Sequence, residues 1–389
     1  MKTSIKDLFI LTGLTLFLIL IIWLPFYLKL DNFLGLNFST GIGTIYRNFD
    51  GLEYVIIAKS LYQPQIITTI PQSLSPNYYA AHFPGYAMLI LLISPLFGFL
   101  KSMLLIPAFF TLTSVFAFYF LIKNFKLSNH PLFLSVIFLI LPARWLIVHS
   151  VGSAEPIFIF FTILTFYFLL KFEALKQQRF IWLTTFFGIL AQFTRPPGIL
   201  IFIAIGLFVL WNTFFKDKTL NFSSKITRIL SYYPLILIPV TLLGVFYWYS
   251  LTYLDFFAYF HSGDNIHLTF PPFQVFDKNQ YWVGDIWLED IIYTFILGFL
   301  GGMLLIKKKL YSLAFFVFTY LGASIFVSHR DISRYVLPVF PFVLIAFENI
   351  LTSKEFKIVS IIISLGIYLY TQNFLINNTS PISNLQTYN

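Results

Sequence analysis

Seven side chains in this 389-residue chain are of types, and in places, that could do chemistry. Asp50 stands in Arg47-Asn48-Phe49-Asp50-Gly51-Leu52-Glu53-Tyr54, and Glu155 in Val148-His149-Ser150-Val151-Gly152-Ser153-Ala154-Glu155-Pro156. A carboxylate at the edge of an apolar run can take a proton from a substrate hydroxyl. Two carboxylates together could also hold a hard divalent cation. Arg195 follows Thr194 and precedes Pro196-Pro197-Gly198, while Arg330 and Arg334 share the stretch Ser328-His329-Arg330-Asp331-Ile332-Ser333-Arg334-Tyr335. A guanidinium fork suits a phosphate or pyrophosphate, which it binds with two parallel hydrogen bonds. His82, in Ala81-His82-Phe83-Pro84-Gly85-Tyr86, is a further donor for such an anion, and Tyr54 lies one helical turn beyond Asp50. Each of these residues also has a plainer reading. A charge at a helix end can snorkel to a membrane interface, and Asp50 with Glu53 three residues on can form a capping box.

The elements that must position these groups are membrane helices. Of all residues 58% are hydrophobic and only 11% are charged, against roughly 25% charged in an ordinary soluble domain. Disordered chains are poor in aromatic and branched apolar residues, so this composition excludes disorder. Apolar runs fall near residues 8–28, 85–100, 103–122, 131–149, 156–170, 180–194, 197–215, 232–253, 288–306, 310–327, 335–351 and 356–375. At about 20 residues per spanning helix they predict an all-α polytopic membrane protein with about 11–13 spans. The runs are too long, and too little alternating, for a β-barrel. The first is too long for a signal-peptide core and reads as a retained span. The expected organisation is a catalytic transmembrane module over 1–215 and a second transmembrane module over 216–389. The first carries a long external loop at 30–84, the second an external loop at 254–287.

Charge gives the expected sidedness. The net charge is +9, but the basic residues sit in short clusters between apolar runs. That is the pattern of cytoplasmic loops rather than of nucleic-acid binding. The clusters are Lys123/Lys126, Lys171/Lys176/Arg179, Lys216/Lys218/Lys225/Arg228, Lys307-Lys308-Lys309 and Lys354/Lys357. From residue 123 onward the alternation puts 149–155, 194–197, 254–287 and 328–334 on the opposite face. Arginines gathered there, away from the topogenic lysines, need another partner, and a phosphate supplies one. The front of the chain fits less simply. Two crossings between 85 and 122 would carry Lys123 to the wrong side, so that segment must cross an odd number of times or Lys123 and Lys126 break the rule. Within the first loop, Tyr54, Ile57, Ala58 and Leu61 share a face at helical spacing, which predicts a short amphipathic helix along the interface. No cysteine is present, so thiolate chemistry is excluded. No Gly-rich phosphate loop and no His pair at i, i+4 appears either.

These blocks together resemble the glycosyltransferase C superfamily, and within it the family of the GPI-anchor second mannosyltransferase and its prokaryotic relatives. Phe49-Asp50-Gly51 with Tyr54, Ile57-Ala58 and Tyr62 is similar to the family's aromatic-Asp motif in the first external loop. His82-Phe83-Pro84-Gly85-Tyr86 is similar to its Phe-Pro block, Ser153-Ala154-Glu155 to its Tyr-Ser-Glu, and Thr194-Arg195-Pro196-Pro197-Gly198 to its Thr-Arg-Pro-X-Gly. Ser333-Arg334-Tyr335 with Phe340-Pro341 looks like its late Arg-Tyr…Pro segment. The resemblance covers residues 44–200 and 328–345.

It implies an integral-membrane enzyme that moves a sugar, mannose or a similar hexose, from a polyprenyl or dolichyl monophosphate to an acceptor hydroxyl at the external face. Asp50 would be the general base and Glu155 a second catalytic carboxylate. Tyr54, His82, Arg195, Arg330 and Arg334 would bind substrate. The partners implied are the lipid-linked donor, a glycan, lipid or protein acceptor, and membrane lipids, with no nucleic acid. No cofactor is required, and a divalent cation at the two carboxylates is left open. The expected location is the plasma membrane of a prokaryote in preference to the endoplasmic reticulum. The competing class is a secondary transporter or flippase of a lipid-linked or anionic substrate. That class calls for ionisable groups near the bilayer midplane and for related halves, and no internal repeat is visible here.

Overall fold

The structure is a computed structural model, and it describes residues 5–217, 221–263, 268–277, 279–281, 288–382 and 384–388. Much of the acidic loop expected at 254–287, including Asp264, His267, Lys278 and Asp285, lies outside the described residues. Among the described residues there is no β-strand, only isolated bridges. The chain is an all-helical, multi-pass membrane protein. Among the described residues seven helices are long and apolar enough to cross a bilayer: Ile5–Tyr27, Phe99–Asn124, Glu155–Leu175, Pro196–Lys216, Tyr233–Thr252, Glu289–Lys307 and Lys354–Asn377. Four further apolar runs form shorter helices, Pro84–Phe97, Pro131–Ile140, Tyr311–Ser324 and Ile332–Ala346. Proline explains much of the shortening, since it removes a backbone donor: three of these four begin at or contain one.

The outer faces of the long helices carry large apolar side chains. Phe9, Ile361 and Ile362 are each more than 70% exposed. In water such faces would be costly, whereas in hydrocarbon they are not. Hydroxyls within the spans turn back on their own helices, as Thr15 does to Leu11, Thr111 to Pro107 and Thr371 to Ile367. That satisfies them where no water is present.

Contacts gather the chain into two compact units. The first holds residues 1–160, 249–262 and 348–389. At one end of this unit the Tyr119 hydroxyl donates to Asp7 Oδ2 at 2.5 Å, and Lys123 Nζ donates to the Tyr119 hydroxyl at 2.7 Å. At the other end Met103 touches Gly51, and Lys59 Nζ sits 4.8 Å from the Phe99 ring centre. The Phe99–Asn124 helix therefore runs antiparallel to Ile5–Tyr27, from the face that bears the first loop back to the face where the chain begins. Pro84–Phe97 starts on that loop face, where the Tyr86 hydroxyl donates to the Met103 carbonyl. It ends one residue before Phe99, on the same face. Both of its ends therefore lie on that face. Residues 85–122 thus cross once, and Lys123 lies on the same face as the N-terminal end of the first span.

The second unit holds residues 161–248 and 263–347. Ile199–Trp211 and Tyr311–Ser324 pack antiparallel, with the Trp211 and Tyr311 rings 4.9 Å apart. Lys216 lies over Tyr311 at 4.3 Å, Ser312 donates to Glu173 at 3.1 Å, and Arg228 pairs with Asp217 at 2.9 Å. These contacts collect the lysine-rich turns at one end of the unit. Arg195 and the stretch from Ile325 to Arg334 occupy its opposite end.

Candidate functional site

Asp50 opens the Gly51–Ser60 helix. Its carbonyl accepts from the Tyr54 N–H at 3.1 Å, and its side chain makes no capping hydrogen bond. The capping-box reading is therefore not what the structure adopts. The helix is not amphipathic along an interface either. Leu52, Tyr54, Val55, Ile56, Ile57, Ala58 and Ser60 are all buried, because both Pro84–Phe97 and Phe99–Asn124 pack on it. The shared face at helical spacing is only part of an apolar surface that closes almost all the way round.

The residues before Asp50 are fixed to the last span. Asn48 is fully buried, and its Nδ2 donates to the carbonyls of Thr44 at 2.8 Å and Leu375 at 2.9 Å. Phe49 has φ +51°, a left-handed conformation that costs a bulky residue about 1 kcal/mol or more. Its ring stacks on Phe374 at 5.6 Å, and the Arg144 guanidinium lies 4.3 Å from the other aromatic partner's centre, over Phe374. Asp50 itself is half-buried.

Glu155 comes to the same place through a contact between glycines. A Cβ on Gly51 would stand 3.0 Å from Gly152 Cα, and a Cβ on Gly152 would stand 2.8 Å from Gly51 Cα. Only two glycines allow the backbones to approach so closely. The turn carrying Gly152 is tied down by Ser153 to the Val148 carbonyl, Ser150 to that of Ile147, and Trp23 Nε1 to that of Ser150, each at 2.7 Å. Glu155, three residues on, begins its helix and is fully buried. Ser114 fixes that start by donating to the Pro156 carbonyl at 3.2 Å. A carboxylate this deep in an apolar bundle is costly and marks a functional position more often than not.

Aromatic rings line the same region. Tyr54 meets Tyr86 at 4.8 Å and His82 at 5.2 Å, ring centre to ring centre. Glu155 is within electrostatic reach of Tyr86. Tyr62 donates to the His82 carbonyl at 2.6 Å, and Tyr78 lies beside the His82 ring at 5.4 Å. Burial, then the neighbouring tyrosines Tyr249 and Tyr253, raise the Tyr62 hydroxyl well above its ordinary value. It is thus a permanent donor. Tyr79 is raised as well, chiefly by burial. The first unit thus brings together Asp50, Tyr54, His82 and Glu155.

The three arginines belong to the second unit. Arg195 is extended (φ −148°, ψ 143°) between the end of Gln178–Thr194 and the short turn Pro196–Gly198. Gly198 is required there, since a Cβ would come within 2.4 Å of Gln192 Cα. Arg334 is buried and lies 3.8 Å from Asp331. Arg330 is exposed and stands over Tyr281 at 5.7 Å. Among the described residues no group of three or more His, Asp or Glu side chains is placed to hold a metal ion.

Several residues of the site have no signal of their own in the sequence: Met103, Arg144 and Phe374. The one available hint was the pair of glycines, each within three residues of a carboxylate.

No family model matches this chain, and no curated protein does. Among solved structures it is similar to the S. cerevisiae protein O-mannosyltransferase Pmt1-Pmt2 complex bound to the sugar donor. The match has 16% identity and a TM-score of 0.40 over 72% of this chain. This chain spans 38% of the length of that neighbour.

Proposed function

We propose that the protein is a membrane glycosyltransferase that moves a hexose, mannose or a close relative, from a polyprenyl monophosphate to an acceptor hydroxyl. One observation carries the reading: the Gly51–Gly152 contact joins the Asp50 segment to the Glu155 segment on the loop face of a single unit. The motif resemblance had placed those carboxylates in separate blocks. Asp50 takes the proton from the acceptor hydroxyl. The oxygen attacks the anomeric carbon, the bond from that carbon to the phosphate oxygen breaks, and polyprenyl phosphate leaves with both electrons. The configuration inverts. The leaving phosphate needs little protonation at neutral pH, so one base suffices. Tyr54 and His82 contact the sugar or its phosphate, and Glu155 acts as a second carboxylate that orients the acceptor. The sequence proposes Arg195, Arg330 and Arg334 as ligands for the charge developing on the donor phosphate. The proposed setting is a prokaryotic plasma membrane.

The test uses membranes containing the wild-type protein or Asp50→Asn. Radiolabelled polyprenyl-phosphate mannose, glucose and aminoarabinose are supplied in turn with a membrane extract as acceptor source, and released lipid phosphate is followed. Release from one donor by the wild type, lost about 100-fold or more in the variant, is the expected result. Equal release by both would remove Asp50 from the chemistry.

A further inference from the structure

After the last span the chain does not leave the unit. Residues 378–382 and 384–388 turn back across the first loop and bracket Asp50. On its N-terminal side, Thr379 forms an antiparallel bridge with Asn48, and the Ser380 N–H donates to the Arg47 carbonyl at 2.8 Å. Arg47 Nη1 donates in turn to the Ile382 carbonyl at 3.3 Å. On its C-terminal side, Lys59 Nζ donates to the Thr387 carbonyl at 3.1 Å. Leu385 packs on Gly43, where an added Cβ would meet its Cδ1 at 3.3 Å. Tyr388 is fully buried, donates to the Pro71 carbonyl at 3.4 Å and lies within electrostatic reach of Glu53.

Two features separate this from incidental packing. The Gly51–Ser60 helix has ten residues, too few to persist without tertiary support. Its flanking cations, Arg47 and Lys59, each reach carbonyls of this one segment. Held at both ends, the helix presents Asp50 in one orientation.

We infer that residues 378–382 and 384–388 form a strap that positions the Asp50 helix, with Arg47, Lys59 and Tyr388 as its positioning residues. The inference rests on Asp50 being the working carboxylate of the proposed transferase. A site held by such a clasp meets the tolerance that oriented catalysis demands, where a displacement of about 1 Å can cost about 100-fold.

The chain contains no cysteine, so any introduced pair is the only pair. In native membranes, Gly43→Cys with Leu385→Cys is expected to be joined by a short bis-maleimide, leaving the two protease fragments linked. A control pair, Gly43→Cys with the outward-facing Ile361→Cys, should stay separate. Positioning is read without activity: Asp50→Cys is labelled with an impermeant maleimide in the full chain and after deletion of 379–389. The deletion should speed labelling about tenfold, as expected where a local contact set is lost. Tyr388→Ala should do the same, and Tyr388→Phe, which keeps the buried ring, should not. In turnover, Tyr388→Ala should lower kcat about tenfold at little change in donor KM, again restored by Phe. Absence of the cross-link, or a cross-link with labelling unchanged by deletion, overturns the strap. A wild-type protein that turns over no donor overturns the transferase reading instead, and leaves the strap to the cross-link and labelling results.

Discussion

Asp50 in the first unit and Arg334 in the second present the same picture in sequence, a charge beside an apolar run, and different ones in space. Asp50 occupies a helix-start position whose usual work is capping, yet its side chain does not cap. Arg334 occupies a buried position and has Asp331 beside it at 3.8 Å. Arg334 sits buried beside an opposite charge, and such a pair is costly to break, whereas Asp50 lacks the capping role its position would suggest. The largest effect that could break this contrast is therefore Asp50→Asn. It should lower turnover about 100-fold or more while leaving thermal unfolding in detergent unchanged within a degree or two. Arg334→Ala should lower stability as well as turnover. It removes a buried charge 3.8 Å from Asp331, so loss of about 3 kcal/mol of stability is expected, visible as a lowered unfolding midpoint. If Arg334→Ala left the midpoint unmoved and abolished turnover, the contrast would collapse.

Next in size are the two glycines. Gly51→Ala and Gly152→Ala each put a methyl group against backbone as well as against Met103. Overpacking of this kind costs about 1–3 kcal/mol, and the strain falls where the Asp50 and Glu155 segments meet. Turnover should drop on the order of tenfold or more. Met103→Ala in the same chain sharpens the point: it removes the flexible thioether but not the glycine backbone, so rescue should be partial. Full rescue would mean that the backbone approach is not what sets the site.

Much of this was legible in the residues. Hydropathy fixed a polytopic helical protein, and the lysine clusters fixed which turns share an end of each unit. Tyr54 and His82 lie ring to ring, and the Gly51–Gly152 contact brings the segments of Asp50 and Glu155 side by side. Other features were not legible, for identifiable reasons. The helix after Asp50 looks amphipathic because periodicity reports which residues are apolar, not how many neighbours the fold will bring. It is buried nearly all round. Pro84–Phe97 reads as a span because hydropathy cannot tell a helix that crosses from one whose two ends lie on the same face. Its role follows only from Tyr86 and Phe99 lying on one face. The chain Arg144, Phe374, Phe49 joins residues hundreds of positions apart, and no local pattern encodes it.

A smaller effect is expected at Arg195. Lys there keeps the charge but loses the planar fork. Arg195→Lys should weaken use of the phosphate donor about tenfold, seen mainly in donor KM. Arg330→Lys, at an exposed site over Tyr281, should cost less than about threefold. Equal losses at both would place the two guanidiniums in the same role and blur the distinction between a fixed and an exposed arginine.

The smallest effect concerns how His82 is held. The Tyr62 hydroxyl donates to its carbonyl at 2.6 Å, and one such bond contributes about 1 kcal/mol. Tyr62→Phe should therefore lower turnover only about fivefold. The sign of the pH dependence follows from the raised Tyr62 value. Folding favours the neutral phenol, so its contribution is fully present below the ordinary value of 10.0 and is lost only as the pH rises past it. The wild-type rate profile should then show no descending limb from Tyr62 below pH 10. In Tyr62→Phe the whole profile should shift down without changing shape. A limb near pH 8 that vanished in Tyr62→Phe would mean that the hydroxyl ionises far below its buried value. Tyr62 would then belong to the chemistry, alongside Asp50, and not to the support of His82.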